Sequence, residues 1–313
     1  MVRFLFRKLG LFLLVFLGIT FLSFCLTYLS PSDPAEIQLN KTGVAPTQEL
    51  LEQTREEMGL NRPLLVRYGE WLAGLLRGEM GTSLRNGQPV AEELLEALPP
   101  TAILTAASMA VVLLLSVPVG ILCARFQNGP LDLGVRFLTY FFASLPSFFL
   151  ALAILYLFSL RLGWFSVIAS GGVSGYVMPV AVLSLTLSAW YIRQVRSVVL
   201  TELSKDYIEG ARARGVSEAR ILFSHVLKNS LLPILTLAGI SLASMLGGTT
   251  IVENIFSIRG LGHLAMEAIT ARDYPVIQGY VVWMALAFLV VNFLVDLSYG
   301  LIDPRIRRGA ENR

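Results

Sequence analysis

Long apolar runs alternate with shorter polar stretches along this chain. Six of the runs, residues 9–29, 101–124, 134–160, 176–200, 229–252 and 277–301, are long enough to cross a bilayer as helices. About 20 residues rising 1.5 Å each cover the hydrocarbon core. Pro118, Pro146, Pro179 and Pro233 lie in these runs or at their ends. Proline breaks are tolerated in a membrane where neighbouring helices satisfy the freed backbone groups. The first run follows Arg3, Arg7 and Lys8. From Gly10 to Leu29 it exceeds a secretory signal core and no A-x-A site follows, so an uncleaved first span is expected.

Two polar stretches carry helical patterns of their own. The longer covers residues 31–100. Within it, Pro46-Thr47 precedes a predicted helix over 48–58, with Thr47 as N-cap and Leu50, Leu51, Thr54 and Met58 on one side. Gly59 stops that helix, and Pro63 opens another whose apolar face carries Tyr68, Trp71, Leu72 and Leu75. The shorter stretch runs from Tyr207 to Pro233. Leu203, Tyr207 and Ala211, at i, i+4 and i+8, predict one side of a helix, with Ile208 beside them. Gly215 breaks this helix, since a residue without Cβ takes a left-handed turn at little cost. Ser217 as N-cap and Glu218 in the first turn predict a second helix. Helix, glycine corner and helix form a compact projection that suits a groove on another protein.

Apolar residues make up 55% of the 313 positions and charged residues 15%, which excludes an ordinary soluble domain. The net charge of +3 matters less than its distribution. With the N-terminus inside, the predicted spans leave 16 Lys and Arg inside and 9 outside. The positive-inside rule then places both termini and the 207–233 stretch in the cytoplasm. From Asp33 to Glu96, eleven acids outnumber six bases. This outer segment reads as a solvated helical cap and as a contact surface for a soluble substrate-delivery protein. Cys25 and Cys123 lie in apolar runs and read as small buried hydrophobes rather than a disulfide or metal site.

The projection resembles the EAA loop of the membrane subunit of bacterial ABC importers, through Glu209-Gly210-Ala211, then Gly215, then Leu232-Pro233. Gly210 stands where that pattern has its first alanine, which loosens the helix by up to about 1 kcal/mol. Further motifs resemble the permeases for dipeptides, oligopeptides and nickel over nearly the full chain. They are Pro31-Ser32-Asp33-Pro34, Met58-Gly59-Leu60-Asn61-Arg62-Pro63-Leu64, Met80-Gly81-Thr82-Ser83, Ile251-Val252-Glu253-Asn254-Ile255-Phe256, Gly260-Leu261-Gly262, Arg272-Asp273-Tyr274-Pro275-Val276-Ile277-Gln278 and Asp303-Pro304-Arg305-Ile306-Arg307. Arg259 stands where these permeases usually carry proline before Gly-Leu-Gly.

The resemblance implies an all-α membrane protein of the cytoplasmic (inner) membrane. It would have six transmembrane helices, an outer helical segment after the first span and a cytoplasmic coupling helix. In chain order it implies a first span at 1–30, the outer segment at 31–100, a five-helix permease core at 101–303 with a coupling loop at 203–228, and a tail at 304–313. The implied partners are a homologous second permease in a heterodimer, two ATPase subunits on the cytoplasmic side, an extracytoplasmic substrate-binding protein and the lipid bilayer. No nucleic-acid partner is expected. Glu209, Gly210, Ala211, Arg212, Arg214 and Gly215 are the implied ATPase-docking residues. ATP and Mg would be bound by the ATPase subunits, with no cofactor in this chain.

No G-x-x-x-x-G-K phosphate loop occurs, because none of the four lysines follows glycine. An intramembrane hydrolase is a distant alternative, since His225 and His263 form neither H-E-x-x-H nor a membrane Ser–His pair. A channel is another, but it needs no long docking loop. Asn292 and Asp296, one turn apart in the last span, are candidates for the translocation path or gate, as intramembrane acids are by default. Glu253 and Asn254, at the outer end of the fifth span, are candidates for its entrance. The alternative roles are a structural ion pair or hydrogen bond for Asp296 and helix capping for Glu253 and Asn254. A naked-ion path needs several His, Cys or carboxylate groups in the spans, and no metal site is assigned. The residues from Pro46 to Leu51 and from Arg67 to Leu72 look more like the nickel permeases than the dipeptide ones. Nickel, free or chelated, is therefore the first substrate expected and a peptide the second.

Overall fold

The computed structural model describes residues 2–29, 33–41, 47–167 and 172–302. In chain order its helices begin with α1 (Val2–Tyr28), α2 (Pro34–Lys41), α3 (Gln48–Glu57), α4 (Leu64–Leu76) and α5 (Val90–Arg125). Then follow α6 (Pro130–Ser144), α7 (Ser147–Leu155) with a π-helical turn at Tyr156–Arg161, α8 (Ser174–Leu203) and α9 (Asp206–Ala213). The last are α10 (Glu218–Arg220) with a π-helical turn at Ile221–Val226, α11 (Leu227–Gly248), α12 (Thr250–Ile255), α13 (Leu261–Ala271) and α14 (Tyr274–Ile302). Internal contacts divide the chain into two units, residues 1–100 with 259–289, and residues 101–258 with 290–313.

In the first unit the predicted outer helices form where the pattern places them. Thr47 Oγ1 accepts from Leu50 N at 3.4 Å. Gly59 ends α3 with φ +67°, and the bonds Leu60 N to Arg55 O (2.8 Å) and Gly59 N to Glu56 O (3.0 Å) close its last turn. α4 packs on α1 through Tyr68, whose hydroxyl lies 2.9 Å from Thr20 Oγ1 and donates to Leu17 O at 3.3 Å. The rings of Phe21, Phe24 and Trp71 surround it. Two motifs far apart in the sequence also meet. Asp273, 1% exposed, accepts from Ser83 Oγ at 2.5 Å, Leu84 N at 3.0 Å and Arg85 N at 3.0 Å. A single carboxylate thus clamps the turn between Met80 and Val90 to the start of α14.

α5 starts eleven residues before the expected boundary of the second span. Hydropathy alone stops near Thr101 because Glu92, Glu93 and Glu96 interrupt the run. Val90, Leu94 and Ala97 nonetheless bury with Leu261, Leu264, Ala268 and Val276, so packing extends the helix beyond the apolar stretch. Glu93 is 7% exposed and accepts from Asn86 Nδ2, which removes it from the outer contact surface.

In the second unit the predicted third span, 134–160, is not one straight helix. α6 and the segment Ser147–Arg161 meet at 97°. Leu145 is extended (φ −83°, ψ 128°) because the ring of Pro146 disfavours helical backbone in the residue before it. Pro146 also has no N–H to continue the ladder. The two halves together are long and apolar enough to count as one broken span. At its start Arg196 Nε donates to Asp132 Oδ1 at 2.7 Å, and at its end Ser159 Oγ lies 3.5 Å from Met178 Sδ. Its two ends thus touch α8 at Arg196 and Met178, about 27 Å apart along that helix at 1.5 Å per residue. Among the described residues five helices are long and apolar enough to cross a membrane, and the bent pair counted as one span makes six.

Close helix approaches hold this unit together. A Cβ on Gly120 of α5 would lie 2.7 Å from Val195 Cγ1 of α8, and one on Gly239 of α11 would lie 1.9 Å from Val295 Cγ2 of α14. Small residues at such crossings let backbones approach within a membrane. Tyr191 of α8, fully buried, donates to Ile234 O of α11 at 2.6 Å. Pro233 lies inside α11 and has no N–H to give to the helix ladder.

Candidate functional site

The projection is built from α9, the corner at Gly215 and α10 with its π-helical turn. Gly215 has φ +75°. Its N–H bonds to Arg212 O at 2.9 Å, and Val216 N–H bonds to Ala211 O at 3.2 Å. This bond pair is a Schellman C-cap, which requires a left-handed residue at the glycine position. No atom lies within 4 Å of where a Gly215 Cβ would stand, so the constraint there is the backbone angle and not space.

Ile208 and Ala211, 0% and 2% exposed, face inward and share a core with Ile221, Leu222 and Val226. Burying these side chains fixes α9 on the chain that follows it. Glu209, Arg212 and Arg214 are exposed. Arg212 donates to Glu218 Oε1 at 2.8 Å across the corner, and that bond holds the guanidinium above its usual pKa. Lys205 precedes α9 as an extended residue (φ −81°, ψ 143°).

Three expectations change here. Leu203 does not share a helix with Tyr207, because α8 ends at Leu203 and Ser204-Lys205 separate it from α9. Ser217 takes the extended N-cap backbone, yet its hydroxyl makes no capping bond. Ala211, expected at the docking surface, is turned into the projection's own core.

Sequence spacing did not reveal the group that ties the projection to the spans. Glu202, 6% exposed at the end of α8, accepts from the Tyr207 hydroxyl at 2.5 Å and from Asn229 Nδ2 at 3.1 Å. Its other oxygen lies 2.5 Å from Lys205 Nζ. Asn229 Nδ2 also donates to the Tyr207 oxygen at 2.9 Å. Burial, and then the bond to Glu202, push the Tyr207 hydroxyl above its usual pKa. One carboxylate thus joins α8, α9 and α11. Only the Glu202–Lys205 spacing, i and i+3, is visible in the sequence. Asn229 reaches the group only through the fold.

The path candidates lie on two helices, α12 and α14. Glu253, in α12, has no exposed surface and accepts from Thr101 Oγ1 at 2.7 Å, so its carboxylate serves the join between α12 and α5. Asn254 Nδ2 donates to Thr250 O at 2.8 Å within its own helix. Asn292 is half-buried on α14. Asp296 lies on the same helix, and its side chain is outside the described residues. Among the described residues no three His, Cys, Asp or Glu side chains are grouped to hold a metal ion.

Residues 116–308 match the family model described as the inner membrane component of binding-protein-dependent transport systems, and residues 1–105 match its N-terminal companion. The chain belongs to this family. The permease is 35% identical to the oligopeptide transport system permease protein AppB of Bacillus subtilis, over 98% of this chain and 99% of that protein. It is also 35% identical to the nickel import system permease protein NikB of Staphylococcus aureus, over 97% of this chain and 91% of that protein. Two crystal forms of the inward-facing MetNI methionine ABC transporter share its fold at 19% identity. Their TM-scores are 0.58 and 0.59, over 67% of this chain and 96% of theirs. The chain is thus a multi-pass permease subunit of an ABC importer of the inner membrane. It is not an enzyme, and ATP hydrolysis belongs to separate subunits.

Proposed function

We propose that the projection over residues 206–226 docks the ATPase subunits, and that its motion enters the spans through Glu202. The observation that carries this reading is the joint of α8, α9 and α11 on one buried carboxylate. Glu209, Arg212, Arg214 and Gly215 form the exposed contact face. Gly210 and Ala211 lie beneath it and position it. ATP and Mg sit in the ATPase subunits.

The permease pairs along the sides of its spans with a homologous second permease, as a heterodimer over two ATPase subunits. An extracytoplasmic binding protein delivers cargo to the outer segment, where exposed Glu92 and Glu96 remain available for steering. Both termini lie in the cytoplasm, in keeping with 16 Lys and Arg on that side against 9. Closure of the ATPases moves the projection with α8 and α11 as a body, and the spans alternate between inward and outward access.

The cargo is nickel, free or chelated, on the resemblance of the Pro46–Leu51 and Arg67–Leu72 segments to nickel permeases. A dipeptide or oligopeptide is the second reading, favoured by the equal similarity to an oligopeptide permease. Uptake of radioactive nickel and of a labelled tripeptide, compared in cells with and without this permease, separates the two.

Gly215→Val tests the docking role. A β-branched residue at φ +75° is strained by about 1–3 kcal/mol, whereas Gly215→Asn tolerates the left-handed angle. The Val variant should insert and accumulate but bind ATPase subunits weakly in pull-downs and lose most uptake. The Asn variant should retain both. Normal assembly and uptake with valine would remove the docking assignment.

A further inference from the structure

α4 has apolar residues on more than one side. Its inward edge packs along the C-terminal half of α1, where Tyr68 reaches Leu17 and Thr20 and Arg67 lies over Phe24 and Tyr28. Its outward residues Leu65, Val66 and Leu76 are 70%, 47% and 82% exposed. Leu22 and Leu26 of α1 are exposed as well, on a run apolar enough to span a membrane. At 1.5 Å per residue α4 is about 20 Å long, too short to cross. A short helix lying along the C-terminal half of a span, apolar inward and outward, is immersed in the boundary region of a membrane.

A cavity of about 320 Å³ opens between α1, α4 and the start of α14. Phe24, Tyr28, Arg67, Trp71, Tyr274 and Gln278 are among its walls. The Arg67 guanidinium lies 5.9 Å from the centre of the Phe24 ring and 5.4 Å from that of Tyr28. It makes one long bond, to Leu60 O at 3.3 Å. Among the described residues no carboxylate lies within ion-pair distance of it. Glu70, on the same cavity, is taken by Arg62 at 2.5 Å.

A guanidinium offers five N–H donors in a fork that fits two oxygens of one oxyanion. Burial pushes the Arg67 pKa below its usual value, but arginine stays charged in proteins. A half-buried cation with most donors unused, on the wall of a cavity, favours an anion there. The site lies where the first span ends, and Trp and Tyr gather at that depth of a bilayer. The exposed leucines of α1 and α4 offer apolar surface for acyl chains beside it.

We propose that this cavity binds the headgroup of an anionic phospholipid, with Arg67 gripping the phosphate oxygens. The acyl chains lie along the exposed leucines of α1 and α4. The unpaired charge of Arg67 selects a lipid of net negative charge over a zwitterionic one.

The test uses the assembled transporter in detergent. Phosphatidylglycerol should raise the Tm of the wild-type complex by several degrees more than phosphatidylcholine does. Native mass spectrometry should find one more phosphatidylglycerol retained per permease copy than in Arg67→Gln. Arg67→Lys keeps the cation and should keep the lipid, which separates charge from packing. The proposal fails if phosphatidylcholine stabilises the wild type equally, a comparison that needs no variant. It also fails if soluble glycerol phosphate stabilises as well as the lipid does, or if Arg67→Gln retains the lipid.

Discussion

Glu202 is the residue on which the coupling argument turns. Its buried carboxylate accepts from Tyr207 and Asn229 and pairs with Lys205. Tyr207 and Asn229 are exposed and can turn to water, so the carboxylate itself is the buried member of the group. Glu202→Gln keeps the shape but not the charge, and Glu202→Leu leaves Tyr207 and Asn229 without their shared oxygen. If the group only stabilises the chain, ATP hydrolysis and uptake should fall together with protein level. If it carries motion, the ratio of cargo moved to ATP hydrolysed should fall several-fold in the Leu variant at normal protein level. The Gln variant should lie between that variant and the wild type. An unchanged ratio in purified complex in proteoliposomes counts against transmission through this residue.

The element most changed by tertiary context is the α6–α7 pair. Hydropathy predicts a crossing between 134 and 160, and the apolar length is there, but Pro146 divides it at 97°. The sequence contains the proline, yet it does not say whether the halves stay aligned or turn. That is settled by what α8 offers at each end. Arg196 grips Asp132 through Nε and Nη2, at 2.7 and 2.8 Å, and Asp132 has no exposed side-chain surface. Asp132→Ala leaves the mostly buried Arg196 without its carboxylate, at a cost of about 3 kcal/mol for a buried pair losing one member. The expected result is a lower Tm of the purified complex and easier proteolysis between Asn128 and Gly134. A Tm equal to wild type would show that the bent span stands without this pair. α3, α4 and the Gly59 and Gly215 corners were legible because caps and glycines are local signals. The early start of α5 was not, because its apolar stripe pays off only against α13 and α14, which arrive far later in the chain.

At the scale of the molecule, the spans follow from composition and the proposed orientation from charge. A reporter inserted at Gly87, an exposed left-handed turn residue, should be reached only by an impermeant reagent outside the cell. One at Ser217 should be reached only after the membrane is opened. Labelling of position 87 from the cytoplasm would overturn the proposed topology. The comparison of sequence and structure is uneven at this scale as well. The motifs around Ser83 and Asp273 could each be read in the sequence, but not that they touch. The candidate path residues were chosen for polarity within apolar runs, a signal that does not distinguish a gate from a joint. The Thr101 contact ties the Glu253 carboxylate to α5.

The clamp at Asp273 also has a consequence in time. Ser83 and the carboxylate that holds it are 190 residues apart. A ribosome adding 5–20 residues each second needs about 10–40 s to supply that partner. Until then the turn after α4 is synthesised without its anchor, exposed to proteases on its side of the membrane. A chain stalled or truncated before the final span should therefore be cut within residues 80–90, while the finished chain is protected there. The last helix to be made is the one that locks the first part of the protein in place.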